Sequence, residues 1–127
     1  MKAKGEFDVD LIAQSDAEFA AGRLTIEKVY RGDLVGEGKG QMLSKRTAVA
    51  GSAGYVAIEE VGGVLAGKTG SFTLQHSGTM TRGVQSLTVS IVPDSGEGEL
   101  TGISGSLDII IDNGKHYYEM VYTLGSD

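Results

Sequence analysis

Apolar and polar residues alternate with a period of two along most of the chain, and the 3.6-residue periodicity of a helix is nearly absent. Phe7, Val9 and Leu11 alternate with Glu6, Asp8 and Asp10, which predicts a strand with one apolar and one acidic face. Residues 23–31 set Leu24, Ile26, Lys28 and Tyr30 against Thr25, Glu27 and Val29. Gly32-Asp33 turns the chain into 34–44, where Gly36, Gly38 and Gly40 fall on one face. Alternate glycines strip the side chains from that face, which implies close backbone approach, strong coiling, or space left for something else. Further strands are predicted over 55–61, 70–78 and 86–91, the last ended by Pro93. One segment breaks the pattern. Ser15-Asp16-Ala17-Glu18 reads as a capping box ahead of Phe19-Ala20-Ala21, with Gly22 as the stop, so at most one short helix is expected.

The end of the chain is the best-determined element. Asn113-Gly114 is a type I′ hairpin signal between two strand-like runs. A two-residue loop puts Asp112 opposite Lys115, Ile111 opposite His116, Ile109 opposite Tyr118 and Leu107 opposite Met120. Leu107, Ile109, Ile111, His116, Tyr118, Met120 and Tyr122 then share one face. A one-residue slip would mix the two faces, so the pattern fixes its own register. Asp108 opposite Glu119 is the one discordant pair.

These segments make about eight short strands separated by glycine turns, with no β–α alternation. The predicted fold is all-β, a closed antiparallel β-barrel in which the first strand pairs with the last. Closure leaves no edge, and alternate glycines permit the coiling it needs. The chain's 127 residues are one domain's worth, spanning 1–127. Such a barrel either fills its interior or keeps a cavity for one small ligand.

Composition narrows the function classes. Glycine is abundant, 20 of 127 residues, and cysteine is absent, so disulfides, thiolate metal sites and cysteine nucleophiles are excluded. Seventeen acids against eleven Lys plus Arg give a net charge of −6. A nucleic-acid partner needs a cationic footprint, and the one basic concentration, Ser44-Lys45-Arg46, is too short to supply it. Apolar runs of a few residues do not span a membrane. The first residues are basic but lack an apolar stretch behind them, so no secretory signal is read and a cytoplasmic location is the default. No cofactor is implied. A homodimer is left open.

Across the middle of the chain, Tyr55-Val56-Ala57-Ile58-Glu59-Glu60 through Phe72-Thr73-Leu74-Gln75-His76 to Thr79 forms a distinctive run. Val92-Pro93-Asp94-Ser95-Gly96 through Gly102-Ile103-Ser104-Gly105 and the aromatic final strand extend it. Together they resemble a bacterial family of small uncharacterised proteins with the allene oxide cyclase-like β-barrel. The resemblance covers nearly the whole chain and implies a single closed barrel, with Glu59 matching a glutamate of the family. It supplies no activity, and no cyclase active-site motif is matched locally; fold alone does not license function.

Two residues are candidates for chemistry. His76 shares a face with Phe72 and Leu74, and an inward imidazole can act as acid or base or orient a polar ligand group. A satisfied core histidine is the plainer alternative. Glu59 shares a face with Tyr55, Ala57 and Val61; buried among apolar walls it would act as a general base, whereas an outward or arginine-paired glutamate would be structural. Glu60 takes its place if the facing is inverted. Tyr55, Phe72, Leu74, Met42, His116, Tyr118, Met120 and Tyr122 are the expected pocket wall, and a packed core of the same residues is the alternative. A zinc site would need His76, His116 and a carboxylate, and no metal is expected. The glycines at 96, 98 and 102 lack a dinucleotide loop's context, Gly102-Ile103-Ser104-Gly105 lacks that of a nucleophile elbow, and the acidic loop 94–99 lacks calcium-loop spacing. The expected function is binding of a small apolar or semi-polar molecule inside the barrel. The rivals are a cofactor-independent isomerase, cyclase or lyase using Glu59 and His76, and a structural or oligomerising domain without ligand.

Overall fold

In the computed structural model, residues 1–15 and 22–125 are described. Nine strands run in chain order: β1 (Lys2–Ala13), β2 (Gly22–Gly32), β3 (Leu34–Arg46), β4 (Ala53–Leu65), β5 (Lys68–Thr81), β6 (Val84–Ile91), β7 (Glu97–Gly98), β8 (Ser104–Asp112) and β9 (Lys115–Thr123). All pairings are antiparallel. The sheet follows β1-β2-β3-β4-β5-β6-β8-β9 and closes where β9 meets β1. This is a closed eight-stranded barrel with β7 outside it, against the start of β5. No helix occurs among the described residues, and none is long and apolar enough to cross a membrane. The capping-box segment falls mostly at 16–21, outside the described residues.

Alternation decides which side chains enter the barrel. Ala3 and Phe7 on β1, Ile26, Lys28 and Tyr30 on β2, Ala57, Glu59, Val61 and Leu65 on β4, and Phe72, Leu74 and His76 on β5 are all buried. The β8–β9 hairpin pairs Asp112 with Lys115, Ile111 with His116, Ile109 with Tyr118 and Leu107 with Met120. Asn113 and Gly114 both have positive φ, 52° and 76°, as a type I′ turn requires.

The strands run longer than their alternating cores, and the glycine-rich stretch after Pro93 is more structured than an open loop. Val92 N–H donates to the Thr73 carbonyl at 2.9 Å, and Ser95 Oγ accepts from Thr73 N–H at 3.0 Å. The chain then adds β7 to β5 at Gly70 and Ser71. Beyond it, Leu100 and Ile103 are almost fully buried in the same core cluster as Leu34, Leu65, Phe72 and Tyr122. This connection between β6 and β8 stoppers one end of the barrel. Nearby, the Tyr118 hydroxyl donates to the Arg31 carbonyl at 2.9 Å and accepts from Leu34 N–H at 2.8 Å, tying the β2–β3 turn to β9.

Candidate functional site

The opposite half of the barrel is not filled. Small residues face inward there: Ser44 on β3, Ala53 and Ala57 on β4, and Gly78 on β5. A cavity of about 450 Å³ results, with apolar walls that include Val9, Ile26, Met42 and Ile109. Its size is in the range of small-molecule sites.

Lys28 and His76 line its inner end, and Glu59 lies beneath them, fully buried at 0 % exposure. Glu59 Oε1 accepts from Lys28 Nζ at 2.9 Å and is 2.9 Å from His76 Nε2. Oε2 accepts from the Tyr30 hydroxyl in a short hydrogen bond. Lys28 and Tyr30 are on β2 and Glu59 is on β4, so the side chains must reach over β3, a span of about 9–10 Å at ordinary strand spacing. The glycine face makes this contact geometrically feasible. A Cβ at Gly38 would overlap the Glu59 carboxylate. The Lys28 ammonium also sits 4.8 Å from the Phe7 ring centroid, a cation–π distance.

Burial pushes the Glu59 carboxyl up. The hydrogen bond from His76, the Lys28 charge, and hydrogen bonds from Tyr30 and Lys28 together outweigh it and hold the group below the ordinary carboxylate range. An ionised carboxylate only accepts, so His76 presents Nε2–H to it. In the neutral ring Nδ1 then carries a free lone pair. Among the described residues no group bonds to Nδ1, and it is not sealed from solvent. Since His76 lines the cavity, that lone pair is offered to its contents. The Tyr30 hydroxyl is pushed well up, by burial first and then by the Glu59 charge, and so remains a proton donor. Burial also raises Tyr55, whose ring occupies the room left by Gly78.

The structure therefore brings Glu59 and His76 into direct contact and points Glu60 outward, exposed. Of the expected pocket wall, Met42, Tyr55 and His116 line the cavity. Phe72, Leu74, Tyr118, Met120 and Tyr122 do not; they are packed in the stoppered half. The alternation identifies the inward face but not the depth along the barrel, and this accounts for the difference. Lys28 and Tyr30 were not among the candidates. The available signal was a lysine on an otherwise apolar face beside Leu24, Ile26 and Tyr30. Among the described residues, no group of three or more His, Cys, Asp or Glu side chains is placed to hold a metal ion. A wider hollow of about 820 Å³ lies outside the barrel near β7, edged by Glu37, Glu60, Asp94, Glu97 and Lys39.

Fold and site define a small antiparallel barrel, stoppered at one end, with a cavity whose inner end carries a buried ionic cluster. The chain belongs to the family described as protein of unknown function (DUF3224), whose model matches residues 3–122. It is similar to a solved structure of a protein of unknown function from that family in Shewanella oneidensis MR-1, at 45% identity and a TM-score of 0.96, over 100% of this chain and 98% of the other. No curated protein matches.

Proposed function

We propose that the protein binds a small, largely apolar molecule in the open half of the barrel, with a polar group of that molecule meeting His76 Nδ1 and Lys28 Nζ. The observation that carries this reading is the unpartnered His76 nitrogen facing a cavity of about 450 Å³ above an otherwise satisfied cluster. A buried ion pair is at best a weak source of stability compared with apolar packing. A purely structural barrel would gain more from filling this volume. Kinship with the allene oxide cyclase-like barrels belongs to the same proposal, supported by the sequence resemblance.

The test uses the neutral fluorescent probe N-phenyl-1-naphthylamine. Its emission should rise on binding to the wild type and fail to rise with Ala57→Phe, which fills the cavity, or with Ser44→Trp nearer the mouth. Retained thermal unfolding in either variant confirms that the fold survives. No enhancement with the wild type, together with no co-purified mass in native mass spectrometry, removes the reading and leaves a ligand-free structural domain.

A second reading is favoured by the cluster's composition. In a cofactor-independent isomerase, cyclase or lyase, His76 would be the acid–base group facing the substrate. Glu59, with both oxygens engaged by three donors, would then position His76 and Lys28.

A further inference from the structure

The chain carries 17 acidic residues and a net charge of −6, yet among the described residues no aspartate or glutamate lines the cavity. Its charged lining residues are Lys28, Lys45 and Arg46. Lys28 is neutralised in place by Glu59. The other two belong to the short basic run at the end of β3, which is too small to hold a nucleic acid, and both are exposed. Arg46 follows Met42 and Ser44 on the inward alternation, at the mouth, and Lys45, on the outward alternation, borders the same opening. Among the described residues, neither side chain has a hydrogen bond or ion pair. The described acids nearest this end, Asp8, Asp10 and Glu27 on β1 and β2 and Asp112 at the β8–β9 turn, lie on the outward face, and Asp112 stands opposite Lys115. Arg31 instead takes Asp8, at 2.8 Å.

The arc of the opening at the end of β3 is thus a cationic rim on an acidic protein, and among the described residues the unpaired Arg46 guanidinium lies on the inward alternation, where a ligand's outer end would emerge. Low-dielectric walls focus the field of such a rim. A neutral ligand would make no use of it. Resting on the binding function proposed above, we infer that the ligand is an anionic amphiphile. Its apolar body fills the cavity and its acidic group lies at the mouth against Arg46 and Lys45. The hydrogen-bonding floor at His76 meets the other end. The rim selects for charge and the cavity selects for shape.

The experiment displaces N-phenyl-1-naphthylamine with two probes of equal chain length, decanoate and decanol. For the wild type at low ionic strength, decanoate should displace the dye at about one-fifth the concentration decanol needs, a modest preference suited to a solvent-exposed ion pair strengthened by a focused field. The preference should shrink as salt is raised to about 0.5 M. In Arg46→Gln with Lys45→Gln the decanoate-to-decanol ratio should fall towards one. Lys68→Gln, at the start of β5 and the stoppered end, removes the same kind of charge elsewhere and should keep the ratio. Equal displacement by the two probes in the wild type, or a ratio untouched by the rim substitutions, overturns the inference while leaving cavity binding intact. Failure of the dye itself to bind overturns both.

Discussion

Glu59→Gln tests the ionic cluster most directly. The substitution keeps the shape of the side chain and removes its charge. Lys28 Nζ lies 2.9 Å from Glu59 Oε1, with side-chain exposures of 6% and 0%. At an effective dielectric constant near 20 the attraction at that separation is about 6 kcal/mol before desolvation, which offsets most of it. In the variant the desolvation cost of the ammonium remains and the attraction is lost. The new amide also turns two N–H donors towards Lys28, His76 and Tyr30, all of which donate to the carboxylate in the wild type. Breaking a buried pair on one side costs about 3–5 kcal/mol. With an unfolding entropy of roughly 2.1 cal/mol/K per residue, a chain of this length should lose about 15 °C in Tm.

The control is the double variant Lys28→Met with Glu59→Gln. It leaves no unpaired charge, so its loss should fall short of the sum of the single losses by at least about 2 kcal/mol. Urea denaturation of the four proteins, followed by circular dichroism, measures this. The pH dependence has a definite sign. The Glu59 carboxyl is held below its ordinary value of 4.5, so the unfolded chain takes up that proton at a higher pH than the folded chain. The stability Glu59 contributes is fully present above about pH 4.5 and is lost as pH falls through the lower folded value. Glu59→Gln should therefore flatten the acid limb of the stability curve. A Tm loss under roughly 3 °C, or strict additivity in the cycle, would refute the claim that the cluster is a coupled unit.

Gly38→Ala should destabilise by about 2–3 kcal/mol through overpacking, because its Cβ would overlap the Glu59 carboxylate and come within 3.1 Å of the Tyr30 ring; an unchanged denaturation midpoint would contradict the role given to the glycine face. Tyr118→Phe leaves the Leu34 N–H and the Arg31 carbonyl without the hydroxyl that serves both, at an expected cost of about 1–3 kcal/mol, and faster hydrogen exchange at Leu34 would localise it. Leu100→Ala empties part of the stopper and should cost about 2–5 kcal/mol in urea unfolding, whereas a loss under about 1 kcal/mol would mean that Leu100 does not seal the end.

The sequence makes the inward face legible and leaves the depth along it hidden. Alternation groups Glu59 with Tyr55, Ala57 and Val61, and His76 with Phe72 and Leu74; the same rule and the Asn113-Gly114 turn fix the last hairpin's register. These are local signals, read within a dozen residues. The stopper is not local. Leu100 and Ile103 are a lone pair of apolar residues in a glycine-rich stretch, with no repeat to mark a strand or a helix, and only the closed barrel gives them a core to enter. Without the stopper nothing tells which half of the face is packed, so Tyr118 and Met120 look as suitable for a pocket as Met42 and Tyr55. The Lys28–Glu59 contact is hidden for a related reason. Its partners are 31 residues apart and meet across β3, which has no side chain at 38 to fill the place of the carboxylate.

The glycine face and the small residues of the mouth serve different ends on the same strands. Gly38 lies where β3 passes the cluster and leaves room for a carboxylate that takes three hydrogen bonds, and Gly40 lets the β4 backbone approach at Ile58 and Glu59. Ser44 on β3, and Ala53 and Ala57 on β4, lie nearer the mouth and are followed by no comparable filling. Yet β4 carries Val61 and Leu65 at the same inward alternation in the stoppered half, both 1% exposed, so the strand accommodates larger residues where packing calls for them. An eight-stranded barrel is just wide enough for side chains to fill, and Val or Leu at 53 and 57 would have closed much of the remaining volume. The empty half therefore reflects the residues chosen at the mouth, not a limit of the architecture. A polar cluster retained at its inner end, and a cationic rim in an otherwise acidic chain, are features that an unused gap in packing would not explain.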